Sequence, residues 1–251
     1  MVIGLEVFRE HFSGFEDRYT LIGGTATDIW MEEAGLAFRA TKDLDIVLSM
    51  ESGDVDFANR LKEFIGTGGY VTRQKDSGKH EFYRFLKPTT SGYPHMLELF
   101  SRTPDGIDFD DGQPITPVAL DDNTRSLSAI LLDDNYYQLI QSGKVLKEGV
   151  PVVDAPTLVL LKAKAFLDLA TRKESGEPID TRDIKKHRND ILRLAQVLDP
   201  ATTLQLPDTV QRDMAAFLGR LANEDVPLKN LGIQSGNLKD ITEVLEAAFG
   251  L

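Results

Sequence analysis

The chain has no cysteine, which excludes a disulfide framework, thiolate metal sites and cysteine nucleophiles together, and suits a reducing interior. It also lacks a long apolar run. No stretch approaches the roughly eighteen residues of a membrane helix, and the apolar residues 158–161 are cut short by Lys162 and Lys164. A membrane is therefore not an expected partner. The N-terminal MVIGLEVFREHF has no basic segment before an apolar core, so it does not read as a secretory signal and the expected location is the cytoplasm. Basic charge is in deficit, 28 Lys and Arg against 40 Asp and Glu, for a formal net charge of −12. Such a body does not grip nucleic acid with its whole surface, although a local basic patch can do so. Among the four histidines, His80 and His95 have no metal-ligand spacing and carry no assignment. Internal repeats and low-complexity tracts are absent too.

What is present is an ordinary globular composition, 41% apolar and 27% charged over 251 residues, enough for one large or two modest domains. Residues 21–48, LIGGTATDIWMEEAGLAFRATKDLDIVL, organise the rest. A short β-rich run ends at Gly23-Gly24, where the backbone can turn tightly and approach a ligand. Thr25 or Thr27 is then expected to cap a helix whose first amides point back at the glycines. In the following strand, residues 43–48, Asp43 and Asp45 lie two apart and so on one face.

Around this stretch, residues 1–17 read as an amphipathic helix and 54–65 as a helix stopped by the glycine-rich residues 66–69. Strands are expected at 70–73, 80–86 and 95–100, and Trp30 is expected in the core. Residues 102–123, rich in Asp, Gly and Pro, read as a loop, 126–132 as a strand, 135–141 as a short helix, and 144–153 as a hairpin turning at Glu148-Gly149. From Asp154, a plausible cap, everything is helical: 156–173, 180–198, 207–221 and 238–249. The change of period near 154 divides an α/β domain, residues 1–153, from a helical domain, residues 154–251.

The acids carry the chemistry. Glu98, an acid between two leucines on a later strand, is the third candidate carboxylate beside Asp43 and Asp45. Together they can hold two divalent ions that bridge a triphosphate and lower the pKa of an attacking hydroxyl. Mg²⁺ fits oxygen ligands and phosphates, and Mn²⁺ is the alternative. In the helical half, Lys162 and Lys164 cannot share one helix face, so one is expected to point at a site and the other at solvent. Asp183, Lys186, His187 and Asp190 fall on one face and are expected to form a polar network. Bases outnumber acids between Lys162 and Arg193, against the trend of the chain, which makes that stretch the expected surface for phosphate or RNA.

Gly23-Gly24, then Asp43-Leu44-Asp45, then an isolated acid on a later strand, resembles the signature of the nucleotidyltransferase superfamily. The run Arg39-Ala40-Thr41-Lys42-Asp43-Leu44-Asp45 is similar to the AbiEii/AbiGii toxin-type branch, as are Lys162, Ala165, Arg182-Asp183 and Asp190 farther on. The chain departs from that pattern by inserting residues 174–180 and by offering Lys164 as a rival to Lys162. The resemblance covers roughly residues 19–195. It implies an α+β fold, a mixed β-sheet with flanking helices followed by a helical C-terminal domain that completes the nucleotide site. It also implies transfer of a nucleoside monophosphate from a triphosphate to a hydroxyl of RNA or protein, with an antitoxin protein as partner where toxin–antitoxin logic applies. By position, Asp43, Asp45 and Glu98 would ligate metal, and Glu98 would help activate the acceptor. Gly23, Gly24, Thr25, Lys42, Lys186 and Asp190 would bind nucleotide, and Lys162 or Lys164 with Asp183 would close the site. Two other readings use the same residues: metal-dependent phosphodiester hydrolysis, and a non-catalytic binding module.

Overall fold

The computed structural model describes residues 2–49, 55–77, 81–101, 116–117, 126, 130–131, 133–199, 201 and 203–251. The chain divides into two compact units, one built from Met1–Ile29, Phe38–Leu120 and Lys144–Val153, the other from Trp30–Ala37, Asp121–Gly143 and Asp154–Leu251. The α+β class expected from the sequence is the class observed, and the mixed sheet with its helices is consistent with a nucleotidyltransferase fold.

In the first unit, eight strands among the described residues make one sheet. They are β1 (Tyr19–Ile22), β2 (Asp43–Leu48), β3 (Thr72–Ser77), β4 (Glu81–Leu86), β5 (Met96–Ser101), β6 (Thr116–Pro117), β7 (Lys144–Lys147) and β8 (Val150–Val153). Their order is β6-β3-β4-β5-β2-β1-β8-β7. The two central strands β2 and β5 run parallel, flanked by antiparallel β1 and β4. Leu44, Ile46, Leu97 and Leu99 are buried in the middle of the sheet. Burial of several such side chains is worth roughly 1.5–3 kcal/mol each before entropy is subtracted, which fixes the register.

Helix α1 (Leu5–His11) and helix α3 (Val55–Gly68) contribute Phe8 and Phe64 to an aromatic cluster, with ring centroids 5.3 Å apart. Phe8 also meets Tyr19 of β1 edge-on at 5.3 Å. The first helix is shorter than its apolar spacing suggests because Gly4 and Gly14, both in the left-handed region, stand on either side of it. The third runs through Gly66-Thr67-Gly68 and stops only at Gly69, with φ +61°, so three of the expected stop residues are helical. The β7–β8 hairpin turns at Glu148 and Gly149, φ +50° and +79°, the pair of positive values a two-residue type I′ link demands. Trp30, expected in the core, is half-buried; Ala26 and Met31 are the apolar side chains that its helix buries. The excursion at 102–123 lies outside the described residues except Thr116–Pro117, which pair in parallel with β3.

The second unit is helical: α4 (Asp134–Ser142), α5 (Ala155–Glu174), α6 (Thr181–Leu194), α7 (Asp208–Leu221) and α8 (Leu238–Phe249). Of the strand expected at 126–132, the described residues Ser126, Ile130 and Leu131 are helical instead. Side-chain caps set the helix starts. Asp154 accepts the Thr157 amide at 2.8 Å, Asp180 that of Arg182 at 2.8 Å, and Asn237 forms a capping box with Asp240. The α5 helix is buried on nearly every side and packs against α6 and α7, with Phe166 meeting Phe217 edge-on at 5.2 Å. No helix among the described residues is long and apolar enough to cross a membrane.

Candidate functional site

The acidic site is assembled by strand register. Parallel pairing of β2 with β5 sets Asp45 directly beside Glu98, and antiparallel pairing of β4 with β5 sets Arg84 on the other flank of Glu98. Asp43 lies two residues from Asp45, both half-buried, while the intervening Leu44 is fully buried. Glu98, which an amphipathic strand could equally have turned to solvent, is only 5% exposed. The Arg84 Nε donates to Glu98 Oε1 at 2.7 Å, and Arg84 is itself buried. Burial and then the nearby Asp45 carboxylate push the Glu98 carboxyl up to about 8, against the pull of Arg84. Of these groups Glu98 is the one whose burial and acidic neighbour favour the protonated form.

The double glycine serves this cluster. At Gly23, φ is +66°, and a Cβ would fall 1.9 Å from Asp45 Oδ2. At Gly24 a Cβ would fall 2.9 Å from Thr41 Oγ1. The room expected for a ligand beside these glycines is therefore taken by Asp45 and Thr41, and what remains available to a phosphate is the row of first amides of helix α2 (Gly23–Glu33). Thr25 and Thr27 are not caps. Thr25 is buried and donates its hydroxyl to the Asp43 carbonyl at 2.7 Å, and Thr27 donates to the Gly23 carbonyl at 2.7 Å. Thr25 thus ties the helix start to the acid-bearing strand, and any contact it makes to phosphate runs through its amide. Lys42 is exposed at the start of β2.

Two carboxylates on one strand face fit Mg²⁺, which keeps several waters and is held by one or two carboxylates together with substrate phosphates. Among the described residues no group of three or more His, Asp or Glu side chains is arranged to hold a metal ion. Glu98, the third acid expected to ligate metal, is engaged by Arg84.

The two lysine candidates of α5 are satisfied within the second unit. Lys162, 6% exposed, donates to Asp190 Oδ2 at 3.0 Å, and Asp190 Oδ1 lies 3.7 Å from Arg193 Nη1. Lys164 donates to Asp213 Oδ2 at 2.8 Å, an oxygen that also accepts the Tyr136 hydroxyl at 2.9 Å. Neither lysine points freely at solvent, contrary to the expectation for one of them. Asp190 is fully buried, whereas Asp183, Lys186 and His187 are half-buried, so the expected network on one face of α6 is split by depth. Sequence reasoning missed Arg84. The signal that could have found it is a lone arginine among the aromatic residues of a strand, Phe82, Tyr83 and Phe85.

No protein-family model matches the chain, and no curated protein matches it. Among solved structures it is similar to an antigenic nucleotidyltransferase-like protein from Paracoccidioides brasiliensis, with a TM-score of 0.46 and 14% identity over 98% of this chain and 91% of that one. It is also similar to the Megavirus polyadenylate synthase, with a TM-score of 0.41 and 12% identity over 87% of this chain and 37% of that one. Likenesses at this level carry no argument about activity.

Proposed function

We propose that this chain is a metal-dependent nucleotidyltransferase that moves a nucleoside monophosphate from a nucleoside triphosphate to a hydroxyl of RNA or protein. The observation that carries this reading is the register of β2 on β5, which puts Asp45 beside Glu98 with Asp43 on the same strand face, next to the start of helix α2. Asp43 and Asp45 would hold Mg²⁺, with Mn²⁺ as substitute. Bound there, the ion would neutralise phosphate charge and acidify the attacking hydroxyl. The amides of Gly24 and Thr25 at the helix start would face the triphosphate, where their partial positive charge favours an anion. Glu98, positioned by Arg84 and adjoining Asp45, would accept the proton of the acceptor hydroxyl. The acceptor oxygen forms a bond to the α-phosphorus, the bond from that phosphorus to the bridging oxygen breaks, and pyrophosphate leaves.

The test is incubation with Mg²⁺, each α-labelled nucleoside triphosphate and a pool of cellular RNA and protein, with Asp45→Asn in parallel. Label on RNA or on protein, reduced at least ~100-fold by Asp45→Asn, is the expected result. RNA shortened without label would indicate hydrolysis instead, and absence of nucleotide binding would leave the chain a non-catalytic module. The narrower placing, a toxin with an antitoxin partner, is supported by the Arg39 to Asp45 run and by Lys162, Ala165, Arg182-Asp183 and Asp190. Its expected outcome is growth arrest on expression that Asp45→Asn relieves.

A further inference from the structure

Two segments of an otherwise acidic chain contain no Asp or Glu, residues 34–42 and 82–97, and together they carry Arg39, Lys42, Arg84, Lys87 and His95. The sheet brings three of these bases to one end. Lys42 precedes β2, His95 precedes β5 and Lys87 follows β4, on three neighbouring strands. Met96 pairs with Asp43 on one side and Leu86 on the other, so the three bases stand one step beyond a shared ladder position. The His95 amide extends that ladder, donating to the Lys42 carbonyl at 3.2 Å. At ~4.8 Å per strand the track is roughly 10 Å long. All three residues are exposed, and none has an ion-pair partner among the described residues. Its inner end adjoins Asp43, and Arg39 Nη2 lies 3.5 Å from where a Cβ on Gly24 would be, at the start of helix α2.

The outer end carries a strained backbone. Lys87 holds φ at +56° directly before Pro88, a neighbour that restricts it further. Glycine would adopt that φ without strain, so a lysine there keeps a positive charge at a backbone cost. Among the described residues the other non-glycine with positive φ is Glu148, which the β7–β8 hairpin turn explains. No such turn explains Lys87. The stretch expected from the sequence to meet RNA, by contrast, keeps Lys162 and Lys164 on Asp190 and Asp213.

We propose that Lys42, His95 and Lys87 form a track for single-stranded RNA, and that the acceptor hydroxyl belongs to the end of a strand laid along it. This rests on the transfer reading above and names its acceptor. The two ammonium groups would hold backbone phosphates, while His95 offers an N–H to a phosphate or its ring to an unstacked base. The net charge of −12 favours a strand over an acidic protein. A broad acidic face would also meet the surrounding acids, whereas a single strand can keep to the track.

The experiment follows binding of a fluorescent single-stranded oligoribonucleotide of mixed sequence to the full chain, by anisotropy, with salt raised from about 50 to about 200 mM and neither nucleotide nor metal present. With three contacts, the logarithm of affinity should fall against the logarithm of salt with a slope of about −2. Lys87→Gln/His95→Gln should weaken binding by about tenfold at the lower salt and make the slope shallower by about 1. Lys87→Arg should bind as the wild type does. Lys229→Gln/Lys239→Gln, the same loss of two side-chain donors from exposed positions of the helical unit, should stay within about threefold. Thermal unfolding checks that each variant folds.

Three results would overturn the track: a wild-type chain that binds no RNA, a folded Lys87→Gln/His95→Gln chain with wild-type affinity and slope, or an equal loss in Lys229→Gln/Lys239→Gln. If Lys87→Gln/His95→Gln does not fold, His95→Gln alone decides in the same terms, with a loss of about threefold expected. RNA held on the track by a chain that transfers no label would instead overturn the transfer reading and leave the track standing. Label placed on protein by a chain that ignores RNA would do the reverse.

Discussion

Each unit buries an ion pair, and the two pairs differ in what stands beside them. In the helical unit Lys162 meets Asp190 at 3.0 Å, and the additional neighbour of Asp190 is a second base, Arg193. In the sheet unit Arg84 meets Glu98 at 2.7 Å, and the additional neighbour of Glu98 is a second acid, Asp45. Burial and distance are alike, so neither separates a structural pair from a functional one. The sign of the next charge does. A buried carboxylate between two bases is electrostatically satisfied, whereas a buried carboxylate between one base and a half-buried acid favours its protonated form. On this comparison Lys162 and Asp190 hold the helical unit together, and the Arg84–Glu98–Asp45 row is the one that the proposed function uses.

The largest effect expected tests the structural side. Lys162→Met leaves Asp190 in the interior without its closest cation, a change that typically costs about 3–5 kcal/mol. The double variant Lys162→Met/Asp190→Leu should recover most of that loss, since an apolar pair of similar size needs no hydration. Urea denaturation of the three chains measures both steps. Recovery of stability with unchanged nucleotide binding would confine this lysine to folding. A double variant that is stable and yet fails to bind nucleotide would break the comparison and give Lys162 a role in the site.

Next in size is the glycine pair. Gly23→Ala places a methyl where Asp45 Oδ2 now lies and forces a residue with a Cβ to keep φ near +66°. Left-handed backbone alone costs about 1–2 kcal/mol, and displacement of the carboxylate adds to it. Gly24→Ala has no positive φ and meets Thr41 Oγ1 at 2.9 Å, so it should cost roughly 1 kcal/mol or less. Thermal unfolding should rank the two in that order. Mn²⁺ binding should be weakened by Gly23→Ala and spared by Gly24→Ala, a contrast that ties the first glycine to the acid cluster and the second to the loop before β2.

Much of this arrangement is legible in the sequence because it follows from alternation and capping. The spacing of Asp43 and Asp45 forces them to one face of a strand, and Asp154 before Ala155-Pro156 announces a helix start. The partnership of Glu98 with Asp45 requires register between strands some fifty residues apart, which no local pattern encodes. Arg84 escaped for the same reason, since its meaning lies in which residue it opposes on β5. Ser126, Ile130 and Leu131 read as strand because a short apolar run has no period of its own, and tertiary packing settled them as helix. The caps expected at Thr25 and Thr27 failed because their hydroxyls had better acceptors in the carbonyls of Asp43 and Gly23.

The smallest effect expected sharpens the functional side of the comparison through pH. The Glu98 carboxyl is raised from an ordinary 4.5 to about 8 in the folded chain, chiefly by burial. Between those values the folded chain holds a proton that the unfolded chain has released, so stability falls as pH rises across this window. The contribution is complete below about pH 4.5 and gone above about pH 8. Glu98→Gln removes the titration while keeping an acceptor for Arg84 and a donor for Asp45. The difference in unfolding free energy between wild type and Glu98→Gln, followed from pH 5 to 8, should therefore drift by about 1 kcal/mol or more toward the variant. Saturating Mn²⁺ should flatten that drift, because a cation at Asp43 and Asp45 relieves the repulsion that the Glu98 proton otherwise relieves. A difference independent of pH would mean that Arg84 alone keeps Glu98 ionised, and the sheet pair would then be as balanced as the pair in the helical unit.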